Sequence, residues 1–500
     1  MVLPDYPPQL PPKQLKQLRD LAVDFALGRG LVIRPSASNA NSSDAYVTHA
    51  PVALFPSPFP RHCFERAVAV QPLFNRLIHR CATDENFLRE VMESLSTVDD
   101  FMKQLYDIYC QVRKEGIAQP ISFGFHRCDY LLHTQQETGD LAIRQVEFNT
   151  IASSFGSLST LTGELHRYLH QTTGFFLDKN SQQAIDSTAL PKNEALNSLA
   201  KGIALSHEIY GVKNAVAMII VQPGERNAFD QRWAEYTLLE RYNILLIRRT
   251  LTDIGERGEL DKASKVLRID GYEVAVAYFR AGYDPKEYIS EIEWSARLTI
   301  ERSKAIKCPT VAYQLVGSKK VQQVLAMPGR LEALGYNADE CAQLRSTFAG
   351  LYPLDSTPEG IAAQEAAMRT PEKFVMKPQR EGGGHNIYGK DIPAALSKLS
   401  PEGRRAHILM DLIVPPTGAR NLLLREGGIA LAGEIVSELG IYGVFIGTEG
   451  GGKGGEGGGE GEAIEKANFA GGHLLRTKPR NINEGGVAAG FAFIDSPYLI

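Results

Sequence analysis

One glycine-rich stretch, residues 373–389 (KFVMKPQREGGGHNIYG), constrains the fold of this chain more than any other segment. It opens with a short strand, residues 374–376, which delivers Lys377. Pro378 ends that strand, because proline has no N–H to contribute to a β-ladder. The stretch is therefore expected to place a lysine at the mouth of a flexible turn.

Three consecutive glycines follow, Gly382, Gly383 and Gly384. Such a run can turn backbone N–H groups toward an anion without obstruction by side chains. Lys377 would add a point charge for phosphate, and Glu381 is the kind of ligand that a magnesium ion bridging phosphates requires. A glycine run taken alone is more typical of a hairpin turn with solvated charges than of a phosphate site.

Composition is that of a soluble globular protein with more than one domain, since 500 residues exceed one ordinary core. A net charge of −4 gives no drive toward nucleic acid or anionic membrane. No apolar run approaches the roughly 20 residues of a membrane span, and the start MVLPDYPPQLPPKQ lacks the apolar core of a signal peptide. The six cysteines lack CxxC spacing, which disfavours zinc sites and disulfides. A reduced, cytosolic protein is expected.

Residues 1–212 are expected to form helices and then a pair of strands. Antiparallel strands are predicted at 121–130 and 141–150, with Arg127 and Asp129 on one face of the first. Glu147 and Asn149 share one face of the second. An exposed connector is predicted at 174–193. Helical spacing of apolar residues is found at 14–27, 64–79, 85–95, 99–114 and 157–172.

Residues 213–317 alternate strands with helices, which predicts an inserted α/β domain. Strands are expected over AVAMIIVQ and ILLIRR, and a hairpin over VLRIDGYEVAVAYF with Asp270 and Gly271 in its turn. Helices are predicted at 230–241 and 287–302.

Residues 318–500 are expected to form the third part, with three helices (319–325, 339–350 and 359–369) leading into the glycine-rich stretch. A helix at 393–399 follows, and then one antiparallel sheet containing HILMDLI, RNLLL, IALAGEIVSEL and YGVFI. The glycine-rich insertion 448–462 is predicted to be a mobile loop. The chain ends with a strand bearing Arg476 and Lys478, an alanine-rich loop at 485–490, and a last strand.

Scattered charges suggest a site assembled from distant segments. Glu147 and Asn149 offer hard oxygen ligands two residues apart, and Glu381 would complete a metal site if it met them across a cleft. Taken alone, the pair is more typical of a solvated strand face.

Lysines and arginines could supply the remaining charge. Lys319, Lys377 and Lys478 could converge on a polyphosphate, although separated lysines usually lie at the surface. Arg127, Arg280 and Arg476 could hold carboxylates, and the first two lie in aromatic strands where an unpaired charge would be costly. Their partner could be internal or a substrate. The chain has no Walker, Gly-x-Ser-x-Gly or HExxH motif.

Along nearly its whole length the chain resembles the eukaryotic glutathione synthetase family. The matching segments keep the family's order and spacing: GIAQPISFGFHRCDY, RQVEFNTIASSFG, ERNAFDQR, AYFRAGY, GSKKVQQ, TFAGLYPLD, FVMKPQREGGGHNIYG, SELGIYGV, GHLLRTK and GGVAAG. The resemblance implies an α+β and α/β protein with the ATP-grasp fold and antiparallel sheets. A helical N-terminal part and an inserted α/β substrate-binding domain are also implied, with a homodimer as the assembly.

The implied reaction joins γ-glutamylcysteine to glycine with ATP and Mg²⁺, through an acyl phosphate, and releases ADP and phosphate. By position, the magnesium ligands would be Glu147, Asn149 and Glu381. The γ-glutamylcysteine groups would be Arg127, Ser153, Ser154, Glu225, Arg226, Asn227, Gln231, Arg280, Tyr283, Arg476, Val487 and Ala488, with Arg127 and Arg476 catalytic. The ATP groups would be Glu147, Lys319, Lys377, Gly382 to Gly384, Asn386, Tyr388, Met410 to Ile413, Glu438, Lys478 and Glu484.

Three positions depart from the family pattern. Ala152 stands where a serine is common, Glu484 where an aspartate is common, and the insertion 448–462 is longer than the usual turn. None removes a metal or phosphate group. Two alternatives remain open: a ligase with another amino-acid acceptor, or a nucleotide-binding homologue without activity. A nucleic-acid-binding protein is disfavoured by the acidic balance.

Overall fold

The computed structural model describes residues 6–35, 46–135, 137–176, 187–379, 386–426, 428–448, 464–483, 485–487 and 490–500. The predictions for Glu381, Gly382 to Gly384, Glu484 and Ala488 lie outside these residues, as does the insertion beyond residue 448. Within the described ranges, no helix combines the length and apolar character that crossing a membrane requires.

Helices dominate the first part of the chain, as predicted, and helices and strands are mixed thereafter. The described helices are α1 (Pro12–Gly28), α2 (Arg61–Thr83), α3 (Glu85–Leu95), α4 (Asp100–Glu115), α5 (Gly156–Thr173), α6 (Ala195–Tyr210), α7 (Ala228–Tyr242), α8 (Leu251–Arg257), α9 (Glu291–Glu301), α10 (Val311–Val316), α11 (Lys319–Ala326), α12 (Arg330–Ala333), α13 (Ala338–Arg345), α14 (Pro358–Arg369), α15 (Asp391–Lys398) and α16 (Pro401–Arg405). The described strands are β1 (Val32–Ile33), β2 (Thr48–His49), β3 (Val52–Ala53), β4 (Ser57–Phe59), β5 (Ile121–Thr134), β6 (Leu141–Asn149), β7 (Val216–Ile220), β8 (Leu246–Arg249), β9 (Gly258–Leu260), β10 (Leu267–Ile269), β11 (Tyr272–Phe279), β12 (Ile306–Cys308), β13 (Leu351–Pro353), β14 (Phe374–Pro378), β15 (Ile387–Tyr388), β16 (His407–Asp411), β17 (Arg420–Arg425), β18 (Gly428–Thr448), β19 (Glu465–Pro479), β20 (Phe493–Asp495) and β21 (Pro497–Leu499).

The central sheet has the strand order β17-β3-β20-β19-β18-β5-β6. β5 pairs antiparallel with β6, which confirms the predicted pair, and β6 is the edge strand. Successive residues of a strand point to opposite faces. Tyr130 accordingly lies in the apolar cluster with α2, whereas Phe123 and Phe125 lie in the cluster with α5 and α6. Arg127 and Asp129 continue the face of the two phenylalanines, which places them beside the start of α5.

A second sheet lies within residues 213–317, with the order β8-β7-β11-β10-β9 and β12 beside β11. β8, β7, β11 and β12 are parallel. The predicted hairpin is confirmed, since Asp270 (φ 51°) and Gly271 (φ 82°) form the turn between β10 and β11. Parallel strands end at one edge of a sheet, so Arg280, directly after β11, lies near the segment that follows β7. The boundaries 213 and 317 themselves stay a prediction.

A third, antiparallel sheet carries the glycine-rich stretch, with the order β13-β16-β14-β15. Lys377 lies near the end of β14, and Met410 of β16 pairs with Val375 of β14. Leu409, Met376 and Phe374 pack with α14 and α15 on one face of this sheet.

Two predictions about strands are wrong. HILMDLI and RNLLL were expected in one sheet, but β16 belongs to the third sheet and β17 to the central sheet. IALAGEIVSEL and YGVFI were expected as separate strands, but they form the single strand β18. The apolar pattern of a strand indicates which of its faces is buried. It does not identify the strand with which it pairs, because any strand can make the same backbone hydrogen bonds.

The expected exposed connector at 174–193 is also wrong in the parts that the structure describes. Phe176, Leu190 and Asn193 are buried, and α6 begins directly afterwards. Asn193 Nδ2 donates to His473 O at 2.7 Å, so this segment is fixed against β19. The sequence did not indicate these buried residues, because single apolar residues in a polar segment produce no periodic pattern.

Candidate active site

Asp129 is the centre of a buried cluster on the central sheet. Its Oδ1 accepts a hydrogen bond from Arg127 Nε at 2.6 Å, and its Oδ2 accepts from Arg127 Nη2 at 2.8 Å. Oδ2 also accepts from Asn149 Nδ2 at 2.9 Å and from Arg476 Nη2 at 3.0 Å. Burial opposes the charge on Arg127, but the Asp129 carboxylate outweighs burial and raises the pKa of Arg127 above its ordinary value. The predicted carboxylate partner of Arg127 is therefore internal.

A glycine makes room for this cluster. Gly440 of β18 is the Cα partner of Asp129 across the sheet. A Cβ on Gly440 would lie 2.6 Å from Asp129 Oδ1 and 2.7 Å from Arg127 Cδ, closer than real Cβ contacts. The carboxylate and the guanidinium thus fill the space that any larger residue would occupy.

Arg476 has a second carboxylate partner. Its Nη2 also donates to Glu438 Oε1, the residue opposite it on β18. Burial lowers the pKa of Arg476, and the nearby Glu438 and Asp129 outweigh burial, so that the pKa lies above its ordinary value. Lys478, two residues further along β19, donates from Nζ to Asn483 O at 2.6 Å. Glu438 is thus directed at an arginine in this structure.

Glu147 lies close to two lysines at the edge of the same sheet. It is the Cα partner of Asp129 in the β5–β6 pair, and its Oε2 accepts from Lys319 Nζ at 2.5 Å. Lys377 reaches the same edge and donates from Nζ to Val146 O at 3.0 Å. Lys319 of α11 and Lys377 of β14 therefore meet at β6, whereas Lys478 contacts Asn483 O instead.

The neighbouring lysines alter the ionisation of Glu147, and Lys319 alters that of Lys377. Burial raises the pKa of Glu147, but the charges of Lys319 and Lys377 outweigh burial and hold that pKa below its ordinary value. Burial, and then the charge of Lys319, lower the pKa of Lys377 to about 8. An amine with a pKa close to neutral pH, next to a second ammonium group, forms a site that favours the binding of a polyanion.

A second arginine cluster lies at the end of β11. Arg280 Nη1 donates to Asp230 Oδ2 at 3.0 Å, and both side chains are buried. The same carboxylate accepts from the backbone N–H groups of Phe155, Ser157 and Leu158 at 2.8, 2.9 and 3.2 Å. Asp230 therefore caps the start of α5 from another element, where an acid suits the helix dipole.

The segment 152–155 joins the two clusters. Ala152 (φ 51°) and Phe155 (φ 69°) adopt left-handed backbone conformations, which turn this segment between β6 and α5. Ser154 O accepts from Arg127 Nη1 at 3.3 Å and from Tyr442 Oη at 2.6 Å. The Oγ of Ser153 is buried without a hydrogen-bond partner among the described residues. Buried hydroxyls without a partner are uncommon in folded proteins, and an ordered water or a ligand group would satisfy this one.

Other polar groups surround Arg280. Glu225 accepts from Asn227 N at 2.7 Å and from Gln231 Nε2 at 3.2 Å. Gln231 Oε1 accepts from Arg248 Nη2 at 2.6 Å. Buried atoms here without a partner among the described residues include Arg280 Nε, Arg248 Nη1 and Asn227 Oδ1.

Two further residues were predicted to bind the substrate at this edge of the sheet, and their side chains lie in different places. Tyr283 lies in the turn after Arg280, and burial raises its pKa to about 12. Arg226 Nε instead donates to Arg34 O at 3.3 Å, so its side chain is engaged with the N-terminal part of the chain.

The remaining predicted ATP residues lie on or near the third sheet. Asn386 Nδ2 donates to Tyr388 Oη at 3.3 Å. Met410 and Ile413 are buried in the apolar cluster that also contains Val375 and packs against Val146 of β6. Val487, which was predicted to bind γ-glutamylcysteine, is buried in a different apolar cluster. The third sheet thus contacts the edge strand that bears Glu147.

Two of the three predicted metal ligands are described. Asn149 uses its Nδ2 for both of its hydrogen bonds, to Asp129 and to Arg127 O at 3.2 Å, which leaves its Oδ1 unused in these contacts. With the Glu147 carboxylate it forms a set of hard oxygen donors that fits Mg²⁺. In the described part of the chain, no group of three or more His, Cys, Asp or Glu residues could hold a metal ion, and Glu381 lies outside that part.

Four groups at the candidate site escaped prediction from the sequence. Asp129 was expected only to share a face with Arg127, and Asp230, Arg248 and Tyr442 were assigned no role. The one available signal was the i, i+2 spacing of Arg127 and Asp129, which places an acid beside a buried base. Asp230 gave no such signal, because its partners lie 50 and more residues away.

Comparisons with known proteins match nearly the whole chain to one family. A family model described as "Eukaryotic glutathione synthase, ATP binding domain" matches residues 12–499. Glutathione synthetases of Xenopus laevis and Homo sapiens are each 43% identical over 490 residues, covering 98% of this chain and 98% of each relative. The chloroplastic glutathione synthetase of Solanum lycopersicum is 40% identical over 499 residues, covering 99% of this chain and 86% of that protein. A solved structure of a glutathione synthetase-like effector (GSS30) from Globodera pallida, in apo form, matches with TM-score 0.76 and 23% identity over 100% of both chains.

Proposed function

Because the chain belongs to the eukaryotic glutathione synthetase family, a family of ATP-dependent ligases that make glutathione, we propose that the site on β5 and β6 joins γ-glutamylcysteine to glycine. The chain has the ATP-grasp fold of this family. The observation that supports the location is the direct pairing of Asp129 with Glu147. Through it, the arginines on Asp129 and the lysines at the β6 edge become neighbours.

The lysine side of this site would hold the ATP phosphates. Lys319 and Lys377 come from different elements to the edge of β6, and each places an ammonium beside Glu147 or its neighbour. Glu147 and Asn149 would hold Mg²⁺, which supplies charge neutralisation for the phosphates when bound. Gly382 to Gly384, Asn386 and Tyr388 would line the phosphates, and Met410 to Ile413 the adenine.

The arginine side would hold the carboxylate that is activated. Arg127 and Arg476 are fixed by one carboxylate, and a guanidinium can bind a carboxylate or a phosphoryl group through two parallel N–H donors. Arg280, Tyr283, Gln231 and Ser153 would hold the γ-glutamyl end.

Joining a carboxylate to an amine in water is unfavourable, so the carboxylate has to be activated. The cysteinyl carboxylate oxygen attacks the γ-phosphorus of ATP, and the bond to ADP breaks. The neutral glycine amine then attacks the carbonyl carbon of the acyl phosphate, the bond from that carbon to the phosphate oxygen breaks, and phosphate leaves with the proton that the amine loses. The protein contributes positioning and charge stabilisation, and Arg127 and Arg476 stabilise the charge that develops between the phosphoryl and carboxylate oxygens.

The ligation assay decides between this function and its rivals. Purified protein is supplied with ATP, Mg²⁺, γ-glutamylcysteine and one acceptor amino acid, and ADP and the tripeptide are measured by coupled assay and mass spectrometry. Glycine should give glutathione with one ADP per product, and alanine or serine much less. Preference for another acceptor would identify a different ligase, and absence of ADP release would identify a homologue without activity.

We also propose that the protein is a cytoplasmic homodimer, as the family resemblance implies. Sedimentation at micromolar concentration would test the dimer, since a single species of the monomer mass, 55.0 kDa, would contradict it. Localisation of a tagged chain would test the compartment.

A further inference from the structure

We propose that Asp129 is a positioning residue for the ligation: its one carboxylate holds Arg127, Arg476 and Asn149 in a fixed relative arrangement. This inference rests on the proposed function, because the three residues it holds are the ones placed there at the reacting carboxylate and the metal. They come from β5, β19 and β6, so that Asp129 connects three strands of the central sheet.

Asp129 has no capacity left to bind a substrate itself. It is 0% exposed, and its two oxygens already accept four hydrogen bonds, from Arg127 (two), Asn149 and Arg476. A carboxylate offers about four acceptor sites. Its acceptors are thus filled by protein donors, and its effect on the reaction passes through them.

The arginines, in contrast, keep donors for a ligand. Arg127 has five N–H donors, and three contacts account for part of them: two to Asp129 and one to Ser154 O. The bidentate contact to Asp129 fixes the plane of the guanidinium. Asp129 thereby determines the direction in which the remaining N–H groups point.

The same carboxylate orients Asn149. Because Nδ2 donates to Asp129 and to Arg127 O, the amide is held with its oxygen directed away from Asp129. That oxygen is the atom proposed to meet Mg²⁺. The ligand-binding ends of the arginine and metal groups are therefore set by one buried charge.

Gly440 leaves the space that the Asp129 carboxylate occupies. A Cβ at this position would lie 2.6 Å from Asp129 Oδ1, so the carboxylate can take its place only because residue 440 is glycine. This contact allows the carboxylate to be displaced without removal of its charge.

The first test replaces the carboxylate by an amide of the same size. Asp129→Asn turns one acceptor into an N–H₂ group that faces N–H donors, so the arginines should shift. Since misplacement by about 1 Å can cost 10²-fold in rate, kcat/KM for γ-glutamylcysteine should fall at least about 100-fold. The Kd of an ATP analogue measured without Mg²⁺ should change by less than about threefold, because Lys319 and Lys377 contact other groups.

Asp495→Asn is the matched control. Asp495 is an equally buried carboxylate of the central sheet, and its partners are hydroxyls and backbone N–H groups of Ser57, Thr477 and Ser496. It measures what the loss of a buried carboxylate does to folding and activity in general. Asp495→Asn should retain kcat/KM within about threefold of wild type.

A second variant pair keeps the test decisive if Asp129→Asn does not fold. Gly440→Ala should reproduce the loss of kcat/KM with ATP binding retained. Gly433→Ala on the same strand, where a Cβ would meet no described atom within 4 Å, should behave as wild type.

Each outcome bears on one statement. Selective loss of kcat/KM in Asp129→Asn or Gly440→Ala, with their controls active, supports the positioning role. Wild-type kinetics in a folded Asp129→Asn protein, or equal losses in Asp495→Asn, would overturn it. A wild-type protein that makes no glutathione would refute the proposed function instead, before any variant is measured.

Discussion

Lys377 is expected to take up a proton when ATP binds at alkaline pH. The side chain is buried, and burial with the charge of Lys319 lowers its pKa from 10.5 to about 8. This lowering corresponds to about 3 kcal/mol in favour of the neutral amine. A triphosphate beside Lys377 stabilises the ammonium, so that binding should raise the pKa back toward its ordinary value.

The size of the effect follows from the two pKa values. At pH 9 an amine with a pKa of about 8 is about 90% neutral, whereas one returned to 10.5 is almost fully charged. Binding should therefore take up about 0.9 of a proton at pH 9 and about 0.1 at pH 7, and affinity should fall about tenfold between them. The sign follows from linkage, since the bound state holds more protons and is disfavoured as pH rises.

Calorimetry with a non-hydrolysable ATP analogue and Mg²⁺, in two buffers of different ionisation enthalpy, measures this uptake directly. In Lys377→Arg the guanidinium stays charged, so the uptake at pH 9 should be absent. Lys320→Arg is the matched control, because burial also lowers the pKa of Lys320, but its ion-pair partner is Asp355. Uptake below about 0.2 of a proton at pH 9 in the wild type, or full uptake in Lys377→Arg, would refute this reasoning.

Three further outcomes are expected. Arg127→Ala should lower glutathione synthesis at least about 100-fold with ATP-analogue binding retained; normal turnover in steady-state assays would rule out its role. Gly202→Ala should cost about 1–3 kcal/mol in denaturant melts, because its Cβ would lie 2.7 Å from Phe123 Cζ, whereas Gly163→Ala meets nothing closer than 3.8 Å and should be neutral or stabilising; equal midpoints would contradict this. Burial raises the pKa of Asp495 from 3.8 to about 7, so the folded state binds more protons than the unfolded state in that window and stability falls as pH rises through it. Asp495→Asn should remove this fall in melting temperature, and an unchanged pH profile would count against it.

Local pattern was sufficient for much of the secondary structure. Helical periodicity located α1 to α4, and alternation with the Gly139-Asp140 break located β5 and β6 with their antiparallel pairing. These elements are visible because a side chain's burial repeats with the geometry of its own element. Motif order along the chain was sufficient for the family, since it needs no contact information.

Partners and long-range contacts were decided by the tertiary structure. β16 and β17 carry similar apolar patterns, yet they belong to different sheets, because ladder hydrogen bonds do not distinguish one strand from another. The Asp129–Arg476 contact spans 347 residues of sequence. That Gly440 leaves space for the Asp129 carboxylate follows only from the pairing of β18 with β5. Sequence determined which chemical groups this protein has; packing of the sheets determined which of them share one carboxylate, because buried charges are stable only where a complementary group is held within hydrogen-bond distance.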